Sequence, residues 1–131
     1  MKRRTILAGV IVAVLAVVLL ALYAKRQIPA MYHQSYTKEL ADWEKIYGRP
    51  QTWPEAMRSA DMLRYVQHYY VPEFTFRSDE ATEAALAAQR ARTTRTIVTG
   101  LKEFTGQDFG EDAERWREWI EKTGEVESRI K

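Results

Sequence analysis

Residues 5–24 read "TILAGVIVAVLAVVLLALYA", a run of 20 residues with no charged side chain and no His, Asn or Gln. At about 1.5 Å per residue a helix of this length spans roughly 30 Å, the thickness of a bilayer core. Backbone amides in lipid must be paired within the segment, which leaves a helix as the form of this run. The remainder of the chain is then read as whatever this helix carries. A secretory signal is the competing reading. Its apolar region is usually about 7–15 residues and ends in small residues at the cleavage point. Here the run is longer, Leu22 stands at the −3 position of the best cleavage point after Ala24, and Lys25 and Arg26 follow at once. The sequence predicts an uncleaved anchor.

The flanks set its direction. Lys2, Arg3 and Arg4 precede the run and Lys25 and Arg26 follow it. The bias of positive charge toward the cytoplasm predicts a single pass through the inner (cytoplasmic) membrane, with a cytoplasmic N-terminus and residues 25–131 outside the cytoplasm, in the periplasm if the source is a Gram-negative bacterium. The chain has no cysteine, which an oxidising compartment permits. Its formal net charge of +2 comes from the basic flank. Setting aside Lys2, Arg3 and Arg4 leaves 17 Lys+Arg against 18 Asp+Glu, so the remainder has no basic excess to attract nucleic acid.

The run holds no group for an ion or proton path. It does hold small residues: Gly9, Ala13 and Ala16 lie near one face, where small side chains let helices approach closely in lipid. A helix facing lipid alone accounts for the same residues. Tyr23 occupies the place of an interfacial aromatic.

Beyond the anchor the sequence predicts an all-α fold: a small extramembrane bundle of about four helices over residues 31–124. It follows a basic flank at 1–4, the membrane helix at 5–24 and a juxtamembrane linker at 25–30, and precedes a frayed tail at 125–131. Pro29 is expected to bend the chain off the anchor. Tyr32, Tyr36, Leu40, Trp43 and Tyr47 recur at helical spacing as one aromatic stripe, ended by Gly48 and Pro50. Thr52 caps a second helix with Pro54 and Glu55 in its first turn and an apolar face of Met57, Ala60, Leu63, Val66 and Tyr70. "VPEFTFR", residues 71–77, is read as an extended connector. Ser78 or Asp79 caps a long third helix, whose stripe of Ala84, Ala88, Ala91, Val98 and Leu101 predicts close packing on another helix. Gly100 within it marks a bend or a tight contact. Gly106 ends that helix, and Asp112 caps a last one from Ala113 to Lys122 closed by Gly124.

Chemical motifs are few. Asp108-Phe109-Gly110 matches the metal-binding tripeptide of protein kinases, but the Gly-rich loop, the V-A-I-K lysine and the H-R-D loop are missing. A turn accounts for it: Gly106 and Gly110 for the backbone, Asp108 bonded to nearby amides, Phe109 in the core. His33 and His68 are the only histidines and are read as surface or interfacial residues. No zinc, haem, P-loop or dinucleotide pattern occurs, so no metal or cofactor is predicted. Arg90, Arg92, Arg95 and Lys102 make a basic stretch, with Arg92 and Arg95 on one face, and read as a solvated helix face. Trp116, Trp119 and Ile120 share one face of the last helix. Core packing is the plainer account of that face, and an exposed anchor for a partner is the other.

"LKEFTGQDFGEDAERWREWIE", residues 101–121, resembles the closing segment of bacterial HEAT-repeat-like proteins. The positions that match are Leu101, Phe104, Thr105, Gly106, Phe109, Gly110, Asp112, Trp116 and Trp119. The resemblance implies a segment that finishes a helical hairpin and caps its apolar end. The stacked repeats that precede such a cap are missing here, and with them the concave binding surface of a solenoid.

These features point to a non-catalytic, membrane-anchored interaction protein. It would be a small accessory subunit bound to integral-membrane subunits of a larger bacterial complex, an architecture also met in photosynthetic and respiratory assemblies. Tyr32, Tyr36, Trp43, Tyr47, Trp116 and Trp119 are its expected partner or core contacts. The alternative is a free-standing periplasmic module that recruits a soluble or envelope partner. An enzyme would need convergent polar groups in a pocket, which the sequence does not offer.

Overall fold

The uncharged run does form a helix, and that helix does not stop at the basic residues that follow it. In the computed structural model, which describes residues 2–130, α1 extends from Lys2 to Tyr47 without a break. Met1 of the expected basic flank and Lys131 of the expected tail lie outside the described residues. Pro29 lies inside α1 rather than at a bend between two helices, and residues 25–30 are helical, not a linker. Proline forfeits one backbone bond, here to the Lys25 carbonyl, and the helix continues because packing on its far side resumes immediately: Pro29, Ala30 and His33 are buried.

Three further helices follow: α2 (Trp53–Tyr69), α3 (Glu80–Thr105) and α4 (Ala113–Ile130). No strand occurs among the described residues. The start of each helix follows from a capping side chain. Thr52 Oγ1 accepts from the Glu55 amide at 3.3 Å, Asp79 Oδ1 from Thr82 at 2.8 Å and Asp112 Oδ1 from Arg115 at 3.1 Å. Gly106 ends α3 in the left-handed conformation, φ 71°, with its amide bonded to the Lys102 carbonyl. Gly124 does not close α4, which runs on through the expected tail to Ile130.

The last half of α1 packs on α3, α3 packs also on α2, and α4 closes over α2. The larger core joins Ala56, Ala60 and Leu63 of α2, Ile97, Val98 and Leu101 of α3, and Ala113, Trp116 and Ile120 of α4. A smaller one joins Leu40, Val66, Tyr70 and Leu86. Beside Leu40 and Leu86 the α1–α3 seam is lined by polar and small residues. Thr93 Oγ1 donates to the Leu40 carbonyl at 2.9 Å, while Thr96 Oγ1 and Gln89 Nε2 donate to the two oxygens of Glu44. At the end of the seam a Cβ on Gly100 would fall onto the Gly48 carbonyl oxygen, so Gly100 marks a tight contact. Of the expected stripe, Val98 and Leu101 are buried but the alanines are not. Ala84, Ala88 and Ala91 are exposed, and α3 buries Leu86, Thr93, Thr94 and Ile97 instead. Threonine wins because its hydroxyl can serve the partner helix while its methyl packs.

Candidate interaction surfaces

Of the aromatic stripe on α1, only Leu40 is fully buried; Tyr36, Trp43 and Tyr47 are half-buried and Tyr32 is exposed. The rings meet those of α2 edge to face, a favoured geometry for aromatic pairs. Tyr70 receives Tyr36 at 5.1 Å and Trp43 at 5.0 Å between centroids, and Trp43 also meets Tyr65 at 5.5 Å. Tyr65 stacks on Tyr69 at 4.3 Å, which carries the network out to the surface, where Tyr69 is exposed. The Tyr70 hydroxyl donates to Glu39 Oε2 at 2.9 Å. Burial, and then that hydrogen bond to a carboxylate, push the Tyr70 phenol well above its ordinary pKa. Tyr47 belongs to the other core, and its carbonyl accepts from the Ser59 hydroxyl at 2.8 Å.

The two tryptophans of α4 part ways. Trp116 is fully buried and its Nε1 donates to the Gly110 carbonyl at 2.8 Å. It is core, held in place by the turn before it. In that turn Asp108 accepts from the Gly110 amide at 3.0 Å and pairs with Lys102, and Phe109 meets Trp116 edge to face at 4.9 Å. Lys102, then the Gly110 amide, holds the Asp108 carboxyl below its ordinary pKa. Asp108-Phe109-Gly110 is thus a turn that seats α4. Trp119 is half-buried beside Trp53, whose ring also packs on Phe104 at 5.0 Å and whose Nε1 donates to Glu127 at 2.7 Å. Trp53, Pro54, Met57, Ile120 and Gly124 line a groove of about 460 Å³ with Glu121, Glu125 and Glu127 at its edge.

The third surface is the apolar stretch of α1. Its large side chains from Ile6 to Leu22 are each about half exposed or more, and Gly9, Ala13 and Ala16 are exposed with them. Among the described residues no other side chain or packed backbone comes within 4 Å of a Cβ placed on Gly9. Apolar surface on this scale is unfavourable in water by about 25 cal/mol per Å² and marks a membrane or protein contact.

One buried group runs against the sequence reading. His33 is 1% exposed, not a surface residue. Its Nδ1 lies 2.6 Å from Ser78 Oγ, and its ring meets Phe76 edge to face at 5.7 Å. Phe76 also meets Tyr32 at 5.6 Å. Residues 71–79 are therefore strapped onto α1 immediately beyond Pro29. They are not simply extended: the Phe76 amide bonds to the Glu73 carbonyl at 3.0 Å, closing a turn with Phe74 at its tip. Histidine spacing carries no signal for such a joint, because its partners lie 43 and 45 residues away in sequence. Among the described residues no three His, Cys, Asp or Glu side chains cluster to hold a metal ion.

These features define the class of molecule: a small helical domain continuous with one N-terminal helix long and apolar enough to cross a membrane. No protein-family model, no curated protein and no solved structure matches this chain.

Proposed function

We propose that this chain is a single-pass, membrane-anchored interaction protein that serves as a small accessory subunit of a larger bacterial membrane complex. Its N-terminus is placed in the cytoplasm and its helical domain in the periplasm, following the charge bias of the flanks. The observation that carries the reading is the continuity of α1. One helix of 46 residues forms both the exposed apolar stretch and the wall of the domain core, so the domain is held at a set height and direction. A rigid mount suits a subunit that must meet a partner in one orientation better than a tether that lets a module search. The small face of Gly9, Ala13 and Ala16 is available for helix pairing in lipid. The exposed tyrosines Tyr65 and Tyr69 are available beside the domain. Photosynthetic and respiratory assemblies contain subunits of this shape, which supports the reading by architecture alone.

Gentle-detergent purification of the tagged chain, followed by size-exclusion chromatography and mass spectrometry, tests it. Stoichiometric co-elution with integral-membrane subunits is expected, and Ala13→Leu, which blocks close helix packing without adding polarity, should reduce it. A solitary micelle-sized particle would sink the accessory-subunit reading. The second reading, a free-standing periplasmic module, draws on the groove lined by Trp53, Met57 and Ile120 with its three glutamates, and it predicts capture of a soluble partner that Trp53→Ala abolishes.

A further inference from the structure

Read down its length, α1 keeps one stripe turned to the domain. Leu40, His33 and Pro29 are buried along it, and one and two turns nearer the N-terminus the same stripe continues as Arg26, Lys25 and Leu22. Over those three residues stands the turn of the strap. Leu22, Lys25, Arg26, Phe74, Thr75 and Arg77 line a groove of about 680 Å³. Phe76 ties the strap to α1 at Tyr32 and His33, so the turn tip reaches about two helical turns toward the apolar stretch. Phe74 at that tip is 93% exposed, the most exposed large apolar side chain among the described residues. It lines the same groove as Leu22, which lies two residues inside the uncharged run.

The charge on this groove is one-sided. Three cations line it and no carboxylate does; Glu73, in the same turn, is not part of the lining. Arg77 is already held by both oxygens of Glu83, at 3.0 and 2.6 Å. Lys25 and Arg26 are exposed and enter no ion pair among the described residues.

We propose that this groove is an interfacial site for an anionic phospholipid, with the Lys25 and Arg26 side chains on the headgroup phosphate and Phe74 inserted at the acyl-chain boundary beside Leu22. The inference rests on the membrane reading of residues 5–24. It commits to lipid because the groove is continuous with the apolar stretch and stands where that stretch meets its first charges. A cationic pair beside a projecting aromatic matches the layering of the interface, phosphate outside and hydrocarbon within. The strap thereby becomes a second foot on the bilayer, which would stop the domain from tilting about the single helix.

The chain has no cysteine, so single labelling sites can be introduced cleanly. The full chain, reconstituted into vesicles containing phosphatidylglycerol and phosphatidylcholine, would carry a nitroxide at Phe74→Cys, at Ala13→Cys or at Gln107→Cys. Accessibility to oxygen and to a water-soluble nickel complex would then be measured. The Phe74 label should favour oxygen, as the Ala13 label does, while the Gln107 label favours nickel. If the Ala13 label sits in lipid but the Phe74 label behaves like Gln107, the site is overturned and the membrane reading stands. If the Ala13 label is itself aqueous, the membrane reading falls and the site with it. A Phe74 label shielded from both reagents replaces the lipid with a second copy of the chain. With spin-labelled lipids, Lys25→Gln and Arg26→Gln should each reduce the preference for phosphatidylglycerol by about fivefold. An unchanged preference in the double variant overturns the headgroup assignment.

Discussion

Trp116 and Trp119 look interchangeable on a helical wheel, yet one is sealed and the other is half open. Trp116→Ala removes a fully buried ring and its bond to Gly110 and should cost about 3–5 kcal/mol, a large share of the stability of a small domain. Trp119→Ala should cost clearly less. Denaturant midpoints of the two variants in micelles would show the difference. Gly100 and Gly124 separate in the same way. Gly100→Ala drives a methyl into the Gly48 carbonyl and should weaken the α1–α3 seam. At Gly124 an added Cβ meets the Trp53 side chain at 3.7 Å, an ordinary contact. Gly124→Ala should therefore raise stability by up to about 1 kcal/mol through helix propensity, read as a higher melting temperature. Tyr70 predicts an alkaline limit. Its folded-state pKa stands above the unfolded value of about 10. Its contribution is complete below that pH and is lost as pH rises from there through the folded-state value, because the unfolded chain ionises first. In Tyr70→Phe the fall of melting temperature above pH about 10 should be shallower.

At the scale of elements the instructive case is α1. A proline beside two basic residues reads as a break, and an interior proline does cost a helix about 3 kcal/mol. The structure keeps the helix because Pro29, Ala30 and His33 are buried, and the strap is tied to the helix at His33. No property of residues 25–30 announces this; the stabilising groups, Phe76 and Ser78, belong to the strap. Hydrogen exchange on the reconstituted chain offers a direct check. Amides of residues 30–36 should exchange as slowly as those of the α1–α3 seam, and those of 73–77 much faster. Rapid exchange at 30–36 would restore a flexible linker. The alanines of α3 teach a related lesson. Small side chains permit close approach but do not compel it, and the threonines one face away offered both close approach and hydrogen bonds.

At the scale of the whole molecule, Leu40 is the first fully buried residue of either core and Tyr36 the first side chain packed against one. The domain should therefore fold without the apolar stretch. A fragment of residues 28–131 is expected to be helical, monomeric and cooperative in thermal melting. An aggregated or molten fragment would mean that the apolar stretch supports the domain as well as carrying it.

The sequence alone determined the helical class, the starts of α2, α3 and α4, the turn at Asp108–Gly110 and the apolar run, because each rests on local rules: periodicity, capping geometry, left-handed glycine and a count of uncharged residues. Tertiary structure decided the rest. It joined the apolar run and the first domain helix into one element, sent Trp116 inward and left Trp119 half-buried beside Trp53, exposed the alanines and buried His33. Each of these depends on a neighbour tens of residues away, and which of two chemically suitable faces is covered is settled by which one that neighbour can fill.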